Sequence, residues 1–449
     1  MDVKIIGGVA AGMSAAAKLK RLLKDEVEIT VYEKGDDLSY GACGMPYFIS
    51  DVIKDEASLI ARDKAAFEEA GIHVQVFHEV LEINEKTKTL RIKDIKQEKI
   101  FETSYDKLII ASGARAIRLK VEGHQHAHIH TLTTLDAARD LKRKLKEKSV
   151  QSVGVIGASF IGLEVVEALK ELGKTVHLIE RETRVMPKYD QAITDEIETH
   201  LKAHGINLHL GETLESYQAN KTQLSIQTNK GSYDVDLVIE AIGVLPNTGF
   251  CGAAFKKLKN GALIVDETLK TSVEDVYAAG DCVAYPHRLK NFEPAFVPLG
   301  THANKAGRII AHRLAGFNDT FAGILGSNQL KVLDLEVAMS GLSLQEANDA
   351  GYQAATQTIQ AKNQAGYYPG AKTMVIKITY DQDTCQLLGA QMVGEKGVAL
   401  RINTMAVALS QKLTAQEFSQ LDLAYAPPFA PVWDPMQVAT NQIKCPKKG

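Results

Sequence analysis

The chain has 449 residues, with 52 basic and 55 acidic side chains and a formal net charge of −3. Hydrophobic residues make up 45% and charged residues 24%, a composition typical of a globular enzyme of about three domains. This charge balance predicts no nucleic acid or membrane partner. No apolar run reaches the ~18 residues of a membrane span. The first strand begins so early that we expect no signal peptide.

A dinucleotide-binding pattern opens the chain. Residues 3–6 are predicted as a strand, and residues 7–12 as a glycine-rich turn that leads into a helix to about Lys24. A second strand, residues 28–32, ends at Glu33. In this pattern glycine allows the tight turn, the helix N-terminus faces a pyrophosphate and the acid binds ribose hydroxyls.

The same pattern returns in the middle of the chain. Residues 152–156 are predicted as a strand and residues 157–162 as the turn, followed by a helix through Leu172. The next strand, residues 175–179, ends at Glu180. Both turns lack the usual middle glycine, but two copies that each end in an acid support nucleotide sites much better than one copy does.

Cys43 follows the first nucleotide unit, in the segment LSYGACGMPYF at 38–48, and the next cysteine is Cys251. Pro46 suits the first turn of a helix, which predicts that Cys43 lies at a helix N-terminus. Backbone N–H groups there favour the thiolate, so we expect a lowered thiol pKa. A lone redox thiol stores its oxidised state as a sulfenic acid or as a mixed disulfide with a small thiol.

The last third of the chain has a different pattern. Residues 330–337, 373–379 and 387–393 are predicted as strands and residues 397–413 as an apolar helix. This part contains no glycine-rich phosphate turn. We therefore expect an α+β domain that packs or dimerises.

The five cysteines are scattered, without a disulfide scaffold or a Cys/His zinc spacing, so we predict no metal and a reducing cytoplasm. Cys251, Cys282 and Cys385 are interpreted as structural. Cys445 is interpreted as an inconsequential tail residue rather than as a mobile resolving thiol.

Three further segments carry a family resemblance: IIASGA at 109–114, EAIG at 240–243 and TSVEDVYAAGD at 271–281. With the two turns, they make the whole chain resemble the FAD-dependent pyridine nucleotide–disulfide oxidoreductases. The single cysteine resembles the branch that holds coenzyme A (CoA) disulfide reductases, NADH oxidases and NADH peroxidases. In this family the aspartate that matches Asp281 binds the ribityl and pyrophosphate region of FAD.

The resemblance implies an α/β fold with two Rossmann-like dinucleotide-binding domains and a C-terminal α+β dimerisation domain. The implied bounds are 1–118 and 247–325 for a discontinuous FAD-binding domain, 119–246 for the NAD(P)-binding domain and 326–449 for the dimerisation domain. The implied cofactors are FAD and NADH or NADPH. The implied cofactor-binding residues are Gly7, Gly8, Ala11, Gly12, Glu33, Lys34, Val80, Ser112, Gly113, Gly280, Asp281, Gly157, Ser159, Gly162, Glu164, Glu180 and Gly243.

Four places discriminate within the branch. Oxidases and peroxidases carry a histidine near the first turn, where this chain has Ala10 and Ala11. The segments around Tyr367 and Tyr425, and residues 39–43, resemble CoA disulfide reductases. Departures from those reductases are Ala42 where some have asparagine, Ala70 and Gly71 where some have a basic residue, and Trp433 where some have lysine.

The resemblance implies that Cys43 forms a mixed disulfide while the enzyme reduces CoA disulfide or a related small disulfide, persulfide or polysulfide. Tyr367 and Tyr425, from the partner subunit of a homodimer, are the implied proton donors or thiolate stabilisers, and Glu164 orients the nicotinamide. The implied CoA-binding residues are Ser14, Lys18, Arg21, Ser39 and Asn304.

Three alternatives stay open. Glu180 favours NADH because it repels a 2′-phosphate, but Arg181 and Arg184 nearby would admit NADPH. An NADH oxidase would reduce O2 to water through a Cys43 sulfenic acid. A flavoprotein electron carrier or redox sensor for a protein partner would need no cysteine beside the flavin.

Overall fold

The computed structural model describes residues 1–220 and 223–445. The elements up to residue 118 are β1 (Asp2–Ile6), α1 (Ala10–Leu23), β2 (Glu28–Tyr32), α2 (Met45–Ile49), α3 (Lys64–Glu69), β3 (His73–Gln75), β4 (His78–Asn84), β5 (Thr89–Asp94), β6 (Lys99–Ser104), β7 (Lys107–Ile110) and β8 (Ala114–Ala116). Those from 119 to 246 are β9 (Ile129–His130), α4 (Leu135–Leu145), β10 (Ser152–Ile156), α5 (Phe160–Glu171), β11 (Thr175–Glu180), α6 (Gln191–Ala203), β12 (Asn207–Leu210), β13 (Leu214–Asn220), β14 (Gln223–Thr228), β15 (Ser232–Val235), β16 (Leu237–Glu240) and β17 (Val244–Pro246).

The remaining elements complete the chain. Between 247 and 325 these are β18 (Leu263–Ile264), β19 (Val276–Ala278), β20 (Val283–Pro286), β21 (Pro294–Ala295) and α7 (Gly300–Leu314). From 326 onward they are β22 (Asn328–Val332), β23 (Leu335–Gly341), α8 (Leu344–Asp349), β24 (Ala354–Lys362), β25 (Thr373–Asp381), β26 (Leu387–Gly394), α9 (Val398–Ser410), α10 (Ala415–Ser419) and α11 (Pro435–Asn441). None of the helices in the described ranges is long and apolar enough to cross a membrane.

Two five-stranded parallel sheets carry the nucleotide turns, with strand orders β19-β7-β1-β2-β3 and β12-β11-β10-β16-β9. The central strands β1 and β10 are almost wholly buried, as expected for parallel strands covered on both faces. Strand β19 pairs with β7 although about 165 residues separate them in the chain. Each turn therefore lies at the carboxyl end of a central strand, where α/β sheets bind ligands.

Helices α1 and α7 pack directly against each other. A side chain at Gly307 of α7 would clash with the backbone carbonyl of Ala11 in α1, so glycine is required for this approach. The close contact brings polar residues of the two helices together above the first turn.

The C-terminal part is an antiparallel sheet with the order β22-β23-β26-β25-β24, against which α9 packs. The predicted single strand 330–337 is wrong, because a tight turn divides it into β22 and β23. Leu333 adopts a left-handed φ of 55° in this turn, and its N–H donates to the carboxylate of Glu167 in α5 at 2.9 Å. Apolar and charged residues alternate almost regularly through 330–337, so the sequence pattern hides the turn, and the contact that stabilises the turn is distant in sequence.

The interpretation of Cys445 as an inconsequential tail residue is wrong. Cys445 forms a disulfide with Cys385, which is buried in the turn between β25 and β26, and their Cα atoms are 5.8 Å apart. That separation is ordinary for a disulfide. The bond closes a loop across 60 residues and ties the segment after α11 to the C-terminal sheet.

We expect Cys445→Ser to lower the free energy of unfolding by about 2–4 kcal/mol, because the disulfide restricts the unfolded chain. Denaturant unfolding of the oxidised protein measures the change. Lys444→Ser, in the neighbouring position, is the control and should have little effect. A reductant should destabilise the wild type but not Cys445→Ser; equal responses of both proteins would contradict the assignment.

Candidate active site

The two predicted nucleotide turns have nearly the same geometry. Gly7 and Gly157 have φ values of 104° and 101°, a region that side-chain-bearing residues rarely adopt. A Cβ on Gly12 would overlap the carbonyl of Gly7, and one on Gly162 would overlap the carbonyl of Gly157. Glycine at both ends of each turn therefore lets the helix begin directly against the strand.

An acid is held against each turn. Glu33 accepts a hydrogen bond from the Gly8 N–H at 2.7 Å and from the backbone N–H two residues further along at 2.8 Å. Glu180 accepts from the Ala158 N–H at 2.7 Å and again from the N–H two residues on, at 2.9 Å. Both carboxylates thus lie where a ribose bound at the turn would present its hydroxyls.

The predicted residues Ser112 and Gly113 lie where the chain leaves the first sheet. The Ser112 hydroxyl donates to the backbone carbonyl of Asn247 at 2.6 Å, and the Asn247 amide donates back to the Ser112 carbonyl at 3.2 Å. Gly113 and Gly243, which flank the two connections between the sheets, have φ values of 65° and 112°. These contacts fix the first sheet relative to the second.

Gly280 and Asp281 follow β19 beside the start of α1. The Gly280 N–H donates to the buried hydroxyl of Tyr285 at 2.7 Å, and a Cβ on Gly280 would be 3.2 Å from the Cβ of Ala11. Burial raises the pKa of Asp281, whose carboxyl has no hydrogen-bond or ion-pair partner among the described residues. An unpartnered, half-buried acid beside the first turn suits the ribityl hydroxyls of FAD.

The other predicted cofactor residues lie around the turns. Ser159 is the N-cap of α5, without a side-chain cap hydrogen bond to the described chain. The Lys34 ammonium, exposed at the end of β2, pairs with Glu79 at 2.7 Å, and the adjacent Val80 is buried. The ion pair therefore brings Lys34, which follows β2 of the first sheet, close to Val80 of β4.

Cys43 lies in the 3₁₀ turn Ala42–Gly44, directly before α2, with Pro46 in the first turn of that helix. Its side chain is exposed. The same loop is anchored to the first nucleotide turn, because the Ser39 N–H donates to the Gly8 carbonyl at 2.9 Å. On its other side the Gly41 N–H donates to the Leu59 carbonyl at 2.8 Å.

The expectation that the Cys43 pKa is lowered is wrong, because the surrounding groups of the protein raise it. Cys43 is exposed as a residue, but protein atoms crowd its sulfur; this partial burial, and then the carboxylates of Glu164 and Asp281, raise the pKa of the Cys43 thiol. Helix α2 has only five residues, so its dipole is weak against these two acids. Burial and then Glu167 raise the pKa of Glu164 to about 7.

Glu164 therefore changes charge near neutral pH, and above pH 7 its carboxylate opposes ionisation of Cys43. We expect Glu164→Gln to increase the alkylation rate of Cys43 about three- to tenfold at pH 8, as for a thiol pKa lower by roughly 0.5–1. The effect should fade below pH 7, where the wild-type carboxyl is protonated. Glu171→Gln, an exposed position on the same helix, is the control; equal acceleration by both variants would exclude a local effect of Glu164.

The two predicted active-site tyrosines meet in the C-terminal part of the chain. The hydroxyls of Tyr367 and Tyr425 are 3.1 Å apart, and this hydrogen bond, with a smaller effect of burial, raises the pKa of Tyr425. Tyr367 and Tyr425 are 77% and 44% exposed, respectively. The pair therefore faces outward from its own chain.

The predicted substrate residues of α1 and α7 are also brought together. The Ser14 hydroxyl donates to the side-chain oxygen of Asn304 at 2.7 Å. Lys18 and Arg21 follow on the same face of α1, and neither pairs with an acid within the described ranges. These two cations are thus available to an anionic ligand.

Comparison with known proteins identifies the family. Residues 1–302 match the pyridine nucleotide-disulphide oxidoreductases, and residues 327–436 match the dimerisation domain of the same proteins. The chain belongs to the pyridine nucleotide–disulphide oxidoreductase family. The family resemblance and the fold class predicted from the sequence are therefore confirmed.

Members of this family with different names resemble the chain along its length. The CoA-dependent NAD(P)H sulfur oxidoreductase of Pyrococcus abyssi is 35% identical over 98% of both chains. The coenzyme A disulfide reductase of Staphylococcus haemolyticus is 33% identical over 95% of both. The water-forming NADH oxidase from Lactobacillus brevis, bound to NADH, has 30% identity and a TM-score of 0.94 over 98% of this chain and 97% of its own.

As a pyridine nucleotide–disulphide oxidoreductase, the protein is an enzyme that uses FAD and a pyridine nucleotide, as predicted. The first turn, with Glu33 and the unpartnered Asp281, fits FAD. The second turn, with Glu180, fits NAD(P)H.

Glu167 was not predicted from the sequence as a functional residue. It lies on α5, one helical turn after Glu164. Glu167 is buried, accepts from the Leu333 N–H at 2.9 Å and pairs with Lys331. It links α5 to the hairpin of the dimerisation domain and raises the pKa of Glu164. The Glu-x-x-Glu spacing on one helix face was the available signal.

Proposed function

We propose that the protein uses NAD(P)H and FAD to reduce CoA disulfide, or a related small disulfide, persulfide or polysulfide, through Cys43. The observation that carries the proposal is the position of Cys43. Of the free cysteines in the described chain it is the exposed one, while Cys251 and Cys282 are buried. Its loop is anchored to the turn proposed for FAD.

The chemistry proceeds by thiol–disulfide exchange. The Cys43 thiolate attacks one sulfur of the disulfide RSSR, the S–S bond breaks, and a Cys43–S–S–R mixed disulfide forms as RS⁻ leaves. When bound, FAD and NAD(P)H would supply the two electrons needed to release the Cys43 thiolate and a second RS⁻ from this mixed disulfide. Each departing RS⁻ takes one proton and is released as a thiol.

The tyrosine pair is proposed to act on the Cys43 of a partner subunit. Tyr367 and Tyr425 lie in the matched dimerisation domain, beside the exposed side chains of Phe429 and Trp433. Exposed apolar surface of this kind favours a protein interface. In a homodimer the hydroxyl pair would donate a proton to the departing thiolate or hydrogen-bond to it.

The remaining assignments belong to the same proposal. Ser14, Asn304, Lys18, Arg21 and Ser39 would bind CoA, whose phosphates suit the two unpaired cations of α1. Glu164 would orient the nicotinamide, and Glu180 favours NADH. The domain bounds 1–118 with 247–325, 119–246 and 326–449 are supported by the pairing of β19 with β7. A cytoplasmic location and the absence of nucleic-acid or membrane partners complete the proposal; in that reducing compartment the Cys385–Cys445 disulfide is an unusual feature.

Anaerobic turnover of NADH with CoA disulfide tests this function. The expected result is about two thiols released per NADH oxidised, as the stoichiometry of the exchange requires. The similarity to a water-forming NADH oxidase makes O2 the competing acceptor. Negligible thiol release in this assay, together with rapid NADH oxidation when O2 is admitted, would contradict the reductase and favour the oxidase.

A further inference from the structure

Two histidines and one aspartate converge where the NAD(P)-binding part meets the C-terminal sheet. His200 lies in the last turn of α6 and His204 caps that helix, so the i, i+4 spacing places both on one face. Asp334 lies in the turn between β22 and β23. We propose that His200, His204 and Asp334 bind one divalent transition-metal ion of the Zn²⁺ class.

The distances between the donor atoms suit a metal ion. One donor atom from each of the three side chains lies within 4.8 Å of the other two. His204 Nε2 is 3.3 Å from Asp334 Oδ2, and the two imidazole rings have centroids 4.2 Å apart. Ligands at about 2.1 Å from a tetrahedral Zn²⁺ are separated by roughly 3.4 Å, so small side-chain rotations complete the site.

A hydrogen bond to the backbone orients the His204 imidazole as a metal ligand. His204 Nδ1 is 2.9 Å from the His200 carbonyl, which can only accept, so Nδ1 carries the proton. The lone pair of His204 therefore lies on Nε2, on the side of Asp334. A backbone carbonyl that fixes the tautomer in this way is the usual outer partner of a metal-bound histidine.

His200 supplies the second indication. Its Nε2 is buried and has no hydrogen-bond partner in the part of the chain that the structure describes. Buried nitrogen atoms are rarely left without a partner, and a metal ion would satisfy this one. Two imidazoles with one carboxylate favour Zn²⁺, Co²⁺ or Ni²⁺ over Mg²⁺ or Ca²⁺, which prefer oxygen ligands.

The position of the site gives it a consequence for the fold. At the start of α6, Asp190 already pairs with Lys377 of β25 at 3.0 Å. A metal ion on His204 and Asp334 would tie the other end of α6 to the β22–β23 turn. The residue before Asp334 donates its N–H to Glu167, so the ion would stabilise the hairpin that also contacts α5.

Equilibrium dialysis against Zn²⁺, with metal analysis, tests the site in the FAD-loaded Cys43→Ser protein, where the exposed thiol cannot bind the ion. We expect one Zn²⁺ per subunit and an increased melting temperature. His200→Gln, His204→Gln and Asp334→Asn should each weaken Zn²⁺ binding at least about tenfold. His73→Gln, an exposed histidine on β3, is the matched control and should bind like the parent.

Bound flavin and the melting temperature without metal show whether each variant is folded. Zn²⁺ binding that is unchanged in all three ligand variants, or no Zn²⁺ bound by the folded parent, would overturn the proposal. The test does not depend on disulfide reduction, so its outcome is separate from that of the proposed function.

Discussion

Cys43→Ser is expected to reduce the rate of CoA disulfide reduction at least about 10³-fold, because a serine hydroxyl forms no mixed disulfide at neutral pH. Steady-state NADH oxidation with CoA disulfide measures the loss. FAD content should be unchanged, since the loop contacts made by Ser39 and Gly41 use backbone atoms only.

A second acceptor makes the Cys43 experiment decisive. Reduction of an artificial one-electron acceptor by NADH needs both cofactors but no thiol, so Cys43→Ser should retain this activity. Loss of both activities would indicate a damaged fold. Retention of disulfide reduction would contradict the role of Cys43. A wild-type protein that reduces the artificial acceptor but no small disulfide would favour the electron-carrier alternative.

Tyr425→Phe is expected to lower kcat for CoA disulfide about 10²-fold, since the hydroxyl pair is the proposed proton donor for the departing thiolate. Tyr367→Phe should act in the same direction, and the double variant should lose little more, because the two hydroxyls share one hydrogen bond of 3.1 Å. Tyr368→Phe is the matched control and should keep near wild-type activity.

Two measurements separate a chemical role of Tyr425 from a structural one. An aromatic disulfide whose thiol has a low pKa leaves without a proton, so Tyr425→Phe should reduce it at nearly the wild-type rate. A heterodimer of one Cys43→Ser subunit and one Tyr425→Phe subunit should retain about half the activity, because one site has both groups intact across the interface. An inactive heterodimer would place the tyrosine in the same chain as its cysteine.

The nucleotide sites were predictable because their signals are local. Gly7 and Gly157 require their positive φ, and Glu33 and Glu180 follow one strand later, so a short stretch of sequence contains each site. The tyrosine pair was found only through the resemblance. The 3.1 Å contact between the two hydroxyls joins residues 58 positions apart, which no local pattern reveals.

The expectations that failed depended on distant contacts. Cys385 and Cys445 meet because α11 packs on the C-terminal sheet, and sequence spacing does not indicate that pairing. The Cys43 pKa is raised partly by Glu164 and Asp281, which come from two other segments of the chain. A helix N-terminus is visible in sequence, whereas opposing charges from elsewhere in the fold are not.

Mass spectrometry of the non-reduced protein after anaerobic exposure to CoA disulfide tests the central role of Cys43 most directly. We expect one CoA adduct per subunit, on the peptide that contains Cys43, and its disappearance when NADH is added. Cys251 and Cys282 should remain unmodified because they are buried. A Cys43 peptide without CoA, or an adduct that NADH does not remove, would contradict the proposed mixed disulfide.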